Sequence, residues 1–312
     1  MSGPGVTEWD ISNAGGTSSG DAFIGSCDGS VGLAIDDATS ANGSGDAYDT
    51  AWQVFIDSQI FEAPDPVGIT GNVMTAGPAM VGVANLPVTV EYLFSDTVQA
   101  ARIRVLFENT SGNDINITVE VPVNFGSDAA TTLEATSSGD LVFGIDDRWI
   151  VTSDGAPAGD AVNTTVIFGP DNPVELPTAV TNTVCDSSGT EGAGMTFEIK
   201  IPANSIRALM FFAGLGSIEG ITNTIIGAIN SAAMFDDTDN IDPSLIGDLD
   251  PTELDQILNW RFIREGKVKV SSGGGGGGCS LQAAAGPDPL LPALLAVLSL
   301  LFIYRYSGRR QR

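Results

Sequence analysis

Between residues 50 and 212 the chain keeps returning to one pattern: a short run rich in Val, Ile, Thr and Phe, closed off by Gly, Pro, Asn or Asp. β-Branched and aromatic side chains suit a pleated, half-buried surface, and turn residues at this spacing point to an antiparallel β-sandwich. Thr89–Phe94, Ala101–Phe107 and Asn116–Val121 alternate or nearly so. The polar stretch 109–114 (Asn-Thr-Ser-Gly-Asn-Asp) reads as a hairpin loop, which makes the last two runs antiparallel neighbours. Further strands are expected at Leu141–Ile145, Trp149–Thr152, Thr164–Phe168, Met195–Ile201 and Arg207–Phe212, with earlier ones at Ala22–Ile24 and Val31–Ile35. With 43% hydrophobic residues over 312 positions, the chain can build a sizeable core.

After Ala213 the period changes. Ile218, Ile221, Ile225, Ile226 and Ile229 share one helical face, and Asp250-Pro251-Thr252-Glu253 is the N-cap, proline and acid arrangement that starts a helix, continued by Leu254, Ile257 and Leu258. Two short helices within about 217–260 are therefore expected to fold over an end or edge of the sandwich. Trp260–Ile263 and Lys267–Val270 read as a returning last strand.

The C-terminal segment obeys different rules. Six glycines, Gly273–Gly278, run into Cys279-Ser280-Leu281, and Pro287-Asp288-Pro289 leads into an apolar run from Leu290 to Tyr304 interrupted only by Pro292 and Ser299. Arg305, Arg309, Arg310 and Arg312 follow. As a helix the run is about 22 Å long against a hydrocarbon core of about 30 Å, short for a permanent span. Pro292 falls in its first turn, where a missing N–H is tolerated. The arginines stay cytoplasmic by the positive-inside rule, which puts Cys279 and everything before it on the outer face. A buried core helix leaves the basic end unexplained, and a plain tail anchor leaves the Gly-Cys junction idle. Polyglycine bares the backbone, so the segment can be threaded into a protease groove or a lipid-modifying site.

The order Gly-Gly-Gly-Cys-Ser-Leu, Asp-Pro-x-Leu-Pro (Asp288, Pro289, Leu291, Pro292), leucine-rich run and Arg-rich end resembles the JDVT-CTERM class of bacterial sorting tails. That class is similar in plan to the GlyGly-CTERM and Myxo-CTERM tails. The resemblance covers about residues 273–312. It implies an exported protein whose tail is cut by a dedicated intramembrane protease related to the CAAX-prenyl proteases. It also implies a processing or lipid-attachment point at Gly277, Gly278, Cys279 and Ser280. The opening Met-Ser-Gly-Pro-Gly has neither the basic nor the apolar region of the export signal that this reading expects.

The formal charge is −26, and the residues before Cys279 carry −29 of opposing sign to the basic tail. Such a surface cannot neutralise phosphates, which excludes nucleic acid as a partner and favours cations or basic partners, or simply keeps an exported protein soluble. The sequence holds no histidine, so Ser-His-Asp and Cys-His catalysis and His-ligated metals are excluded. Asp146 and Asp147, beside Arg148 and Trp149, are the sequence's candidate carboxylate pair for glycan hydrolysis. Asp237, Asp239 and Asp242 place oxygen ligands at intervals as a Ca²⁺ loop does, without the Gly and the distant Glu of an EF-hand, and read otherwise as a solvated loop. No other cofactor is expected. Cys27 and Cys185 either pair in an oxidising compartment, for about 3–5 kcal/mol at most, or stand as two buried thiols. The Asn-x-Ser/Thr sites at Asn42, Asn109, Asn116 and Asn163 agree with exposed turns.

The expected molecule is thus mainly β. An acidic antiparallel sandwich occupies 1–270, a Gly-rich linker 271–286, and a single transmembrane sorting helix 287–312. The expected function is that of an exported surface protein, anchored or released through its tail, with a non-enzymatic binding or structural body. The rival is a secreted carboxylate-dependent hydrolase acting on glycans, marked by a cleft with two close, perturbed acids. A third reading is an intracellular tail-anchored protein.

Overall fold

The computed structural model describes residues 8–15, 22–23, 31–41, 43–155, 159–185, 191–216 and 221–263. β1 (Glu8–Ala14) and β2 (Gly32–Thr39) form a two-stranded ribbon. Next come β3 (Phe55–Ile56), β4 (Gln59–Ile60), β5 (Gly68–Thr70), β6 (Val73–Val81), β7 (Leu86–Phe94) and β8 (Ala100–Asn109). They are followed by β9 (Ile115–Asn124), β10 (Thr132–Thr136), β11 (Trp149–Ser153), β12 (Asn163–Val166) and β13 (Ala179–Thr181). Two long strands, β14 (Gly192–Ile201) and β15 (Ser205–Leu215), precede three helices, α1 (Ile221–Ala232), α2 (Pro243–Ile246) and α3 (Pro251–Gln256).

One sheet has eight strands in the order β10-β11-β12-β15-β8-β7-β6-β5, the other five in the order β13-β14-β9-β3-β4. Neighbouring strands are antiparallel throughout. The sheets bury one shared core, in which Val88, Val90, Ile103, Val105 and Phe211 face Val119, Val121, Met195 and Phe197. Phe197 and Phe211 meet edge to face at 5.8 Å. A mainly β, sandwich-like fold is what the turn-punctuated sequence leads one to expect.

The helices sit elsewhere than expected. They cover the outer face of the eight-stranded sheet, where Leu93, Val151, Val166, Met210 and Phe212 join Ala228, Phe235, Leu245 and Trp260 in a second core. β15 is therefore buried on both faces, with Leu209, Phe211 and Ala213 in the shared core and Ala208, Met210 and Phe212 beneath the helices. A strand covered twice reads as a continuous apolar run, and Ala208–Ala213 is one. On α1 the buried positions are Thr224, Ala228 and Ala232, while Ile225 and Ile229 are half-buried and Ile226 is 51% exposed. Small side chains let the helix settle close to the sheet. Ile225 and Ile229 pack against the second core from the sides of that contact.

The hairpin expected at 109–114 is not one. β8 already has β7 and β15 on its two edges, so the chain crosses to the other sheet and β9 pairs with β14 and β3. The return crossover between β14 and β15 lies beside it. Asn109, 1% exposed, donates to the carbonyls of Asn113 (2.8 Å), Ile201 (3.0 Å) and Pro202 (3.1 Å), and Asn204 N–H donates to Ser111 (3.1 Å).

Other expectations need correction. Leu141–Ile145 is an exposed loop rather than a strand, with Leu141, Val142 and Ile145 all more than half exposed. The edge strand is β10, whose Thr-Leu-Glu-Ala-Thr sequence carries only one large apolar side chain. Ala22 and Phe23 lie in a turn. α3 starts at the expected capping box, with the Asp250 carboxylate accepting from Thr252 and Glu253 N–H, but it stops at Gln256. Ile257 then bridges Ala208 in parallel, and Leu258 N–H donates to the Ala208 carbonyl (2.8 Å). Trp260–Ile263 follows as coil, not strand. Asn259, fully buried, accepts from Met210 N–H (2.9 Å) and donates to the Met210 and Ile167 carbonyls (2.8 Å each). Its side chain thus replaces the ladder where β12 has ended and β15 has not. No helix among the described residues is long and apolar enough to cross a membrane. Lys267–Val270, the glycine tract, Cys279, the Leu290–Tyr304 run and its arginines lie outside the described residues.

Candidate functional site

The acidic residues that converge come from four separated segments. Asp36 and Asp37 lie in β2 at its register shift opposite Asp10 and Ile11, Asp46 and Asp49 sit in the following loop, and Asp128 lies in the turn after β9. Asp160 comes from the segment before β12, where Ala161 N–H donates to the Gly45 carbonyl (3.1 Å). The loop is tied down from both sides. The Asp37 carboxylate accepts from Ala38 N–H (2.6 Å) and Ala47 N–H (2.8 Å), while Tyr48 bridges Phe125. Gly126 N–H donates to the Ala47 carbonyl (3.2 Å), and Asp49 N–H to the Asn124 carbonyl (3.3 Å). A side chain at Gly126 would run into the Asp46 carbonyl, so glycine is what allows this approach.

These segments enclose a cleft of about 670 Å³ lined by Asp36, Asp37, Asp46, Asp49, Asp128 and Glu191, with Tyr48, Thr50, Asn124 and Cys185. No Lys or Arg is among the described lining residues. The consequence is visible in the acids. Asp49 is pushed up to about 6, first by burial and then by the charges of Asp46 and Asp128 and a hydrogen bond shared with Asp128. Burial and then Asp37 and Asp128 push Asp46 upward. Burial, then Asp46 and Asp154, do the same to Asp160. Asn124 is 6% exposed and its Oδ1 has no hydrogen-bond partner in the protein. The cleft presents oxygen acceptors in excess of donors, an arrangement suited to taking up positive charge.

The acids singled out by sequence are otherwise employed. The Asp237 carboxylate accepts from Asp239 N–H (3.0 Å), and that of Asp242 accepts from Ser244 N–H (2.9 Å) and the Thr97 hydroxyl (2.8 Å). They cap two short helical turns and are not gathered. Among the described residues, no three acidic side chains stand ready-made as a metal shell. Asp147 is fully buried and accepts from Ser138 (3.0 Å) and Gly144 (2.9 Å) N–H, so it staples a loop instead of pairing with Asp146. Arg148 (2.7 Å) and Trp149 Nε1 (2.9 Å) both donate to Asp236. Cys185 is disulfide-bonded and its N–H donates to the Phe23 carbonyl (2.7 Å); Cys27 lies outside the described residues. Asn109 and Asn163 are each 1% exposed, so neither is an exposed glycosylation acceptor. The signal for the cleft was Asp36-Asp37 followed closely by Asp46 and Asp49 in a Gly/Ser-rich loop. Asp128, far along the chain, gave none.

No family model and no curated protein matches the sequence. Solved structures that resemble it include a chain assigned as a kojibiose phosphorylase from the human microbiome, 10% identical with a TM-score of 0.38 over 74% of this chain. Others are a TPR-domain protein from Parabacteroides distasonis (7%, 0.40, over 67%) and a polysaccharide lyase (7%, 0.39, over 68%). The chain spans 29%, 54% and 33% of the lengths of these three in turn. At such identities and scores, none of them bears on what this chain binds or does.

Proposed function

We propose that the chain is an exported bacterial surface protein whose β-rich body is a non-enzymatic binding module for a cationic ligand. The segment after residue 272 is its sorting tail. The observation that carries the binding reading is the cleft, where acids from separate segments meet without a basic side chain among the described lining. The net charge of −26 draws cations toward it. The tail's resemblance supports export, passage of Leu290–Tyr304 into the membrane, and cleavage by an intramembrane protease near Gly277–Ser280. Export to an oxidising compartment favours a Cys27–Cys185 disulfide, in line with the disulfide-bonded state of Cys185.

The test is thermal melting against a panel of monovalent, divalent and lysine-rich probes at matched ionic strength. At least one probe must raise the melting temperature, and Asp46→Asn with Asp49→Asn must remove the gain. Equal shifts in wild type and variant would refute the reading. Intact mass of the protein from its host's envelope and medium tests the tail: loss of everything beyond the Gly-Cys junction is expected, and a chain still ending at Arg312 refutes sorting.

One observation favours the hydrolase alternative: burial and the charges of Asp46 and Asp128 push Asp49 up to about 6. The absence of a basic side chain among the described lining favours uptake of positive charge over hydrolysis. Release of reducing ends from a polysaccharide, lost in Asp49→Asn, would reverse the preference.

A further inference from the structure

We infer that the protein binds a cationic amphiphile, with an aliphatic body that enters an apolar cavity between the sheet edges and an ammonium head that lies at the acidic cleft beside it. The inference rests on the reading of the cleft as a binding site for positive charge and names the rest of the ligand. The cavity measures about 430 Å³ and lies where the outermost strands of the two sheets, β10 and β13, come together. Its buried lining is Phe125 and Ile150 of the shared core, and Leu133 of β10 and Val180 of β13 line it from the two sheets. No charged side chain is among its described lining residues; the polar ones are threonines and Asn182. A volume within about 300–1,000 Å³, mostly apolar walls and a few neutral polar groups are the form of a small-molecule site.

The loop between β10 and β11 supplies the outer wall, with Leu141, Val142 and Phe143. Leu141 is 55% and Val142 65% exposed, and the backbone that carries them is pinned. The buried Asp147 carboxylate accepts from Ser138 and Gly144 N–H, and the Asp140 carboxylate accepts from Val142 N–H (2.9 Å) and the Ser138 hydroxyl (3.0 Å). Leu141 has a φ of 60°, in the left-handed region that a leucine rarely adopts. A loop that uses a buried carboxylate and a strained leucine to hold large apolar side chains beside a cavity presents them to an apolar partner.

Charge complementarity selects that partner. The cavity and the acidic cleft share three stretches of backbone. Asn124 lines the cleft and Phe125 the cavity, and Glu191 lines the cleft and Gly192 the cavity. The third tie is a hydrogen bond from the Thr131 hydroxyl, on the cavity, to the carbonyl of Asp128, on the cleft (2.8 Å). Phe125 N–H donates to the Glu191 carbonyl (2.9 Å), which fixes the first two stretches to each other. An aliphatic body seated in the cavity thus has its head beside carboxylates, with no basic side chain in the described lining of either space. A carboxylate or phosphate head is repelled there, and an ammonium is attracted.

The experiment is calorimetric titration of the full chain with octyltrimethylammonium bromide below its micelle-forming concentration, alongside octanol, octanoate and tetramethylammonium. One saturable octyltrimethylammonium site is expected, with Kd of about 10⁻⁵–10⁻³ M. Octanol and tetramethylammonium, each carrying half of the ligand's chemistry, should bind at least about tenfold more weakly, and octanoate should not bind. Leu141→Ser with Val142→Ser, both at exposed positions, should weaken octyltrimethylammonium about tenfold and leave tetramethylammonium unchanged. Asp46→Asn with Asp128→Asn should bring octyltrimethylammonium down to the level of octanol, with circular-dichroism melts verifying that each variant folds. Octyltrimethylammonium binding unchanged in the folded Leu141, Val142 variant overturns the cavity, and octanol or octanoate bound as tightly overturns the placement of the head. A dimer in sedimentation that the same loop variant abolishes makes the loop an interface between copies and also overturns the inference. No saturable binding of any octyl probe overturns it outright. In that case a melting gain with a lysine-rich probe leaves the binding reading standing, and no gain with any cation removes both.

Discussion

Asp248 keeps an arginine in the interior. Arg102 is fully buried, donating to both Asp248 oxygens (2.6 and 2.8 Å) and to the Leu245 carbonyl (2.8 Å). Burial works to raise Asp248, and the hydrogen bonds and charge of Arg102 outweigh it, holding the carboxyl below its usual range. The pair is lopsided, because Asp248 is 41% exposed. Asp248→Ala strands a buried charge and should cost about 3 kcal/mol in urea unfolding, whereas Arg102→Met leaves an acid that still reaches water and should cost distinctly less. Asp49 makes an opposite case. Its folded pKa, about 6, lies above the ordinary carboxyl value of 3.8, so its contribution to stability is fully present below about pH 4 and lost as pH rises through about 6. With chelator present, the melting temperature should gain this contribution as pH falls across that window, and Asp49→Asn should flatten the gain. Single residues were legible in sequence where their partners are local. Asp250 and Glu253 announce a capping box three positions apart, but nothing in Ala-Arg-Ile-Arg-Val says that Arg102 and Arg104 will be roofed by helices formed about 145 residues later.

Among the elements, the two crossovers between sheets are the clearest unit. Asn109 is the common tie, bonding its own loop and the return loop at once. Asn109→Ala leaves buried carbonyls without a donor and should cost about 1–3 kcal/mol, measured as a drop in urea midpoint at unchanged m-value. The sequence showed that residues 109–114 turn. It did not show where they lead, because the same Asn, Ser, Gly and Asp chemistry serves a hairpin and a crossover alike, and only the occupied edges of β8 decide between them. α1 was found by its isoleucines although its contact is made by Thr224, Ala228 and Ala232, since hydrophobic period marks a helix more reliably than it marks the face that touches. The Leu141–Ile145 loop failed for a related reason: a short apolar run without a partner on either edge has nothing to hold it extended.

The described body is three layers deep: five-stranded sheet, eight-stranded sheet, helices. Ending the chain after Gly216 would strip the helical layer from Leu93, Met210 and Phe212 and should give an aggregating product that binds a hydrophobic dye such as ANS, while a chain ending after Ile263 keeps both cores and should melt cooperatively. Fold class was legible because strands and turns alternate along the whole body. The layering was not, since a sheet face covered by helices and one covered by another sheet call for the same apolar residues.

The Asn259 plug gives this architecture a direction in time. A chain made from its N-terminus presents β15 before residues 257–260 exist, so the stretch of β15 beyond the end of β12 is a raw, bonding-competent seam until nearly the whole body has emerged. Residues 257–260 are made after both sheets and all three helices, so the seam closes only once the rest of the body already exists.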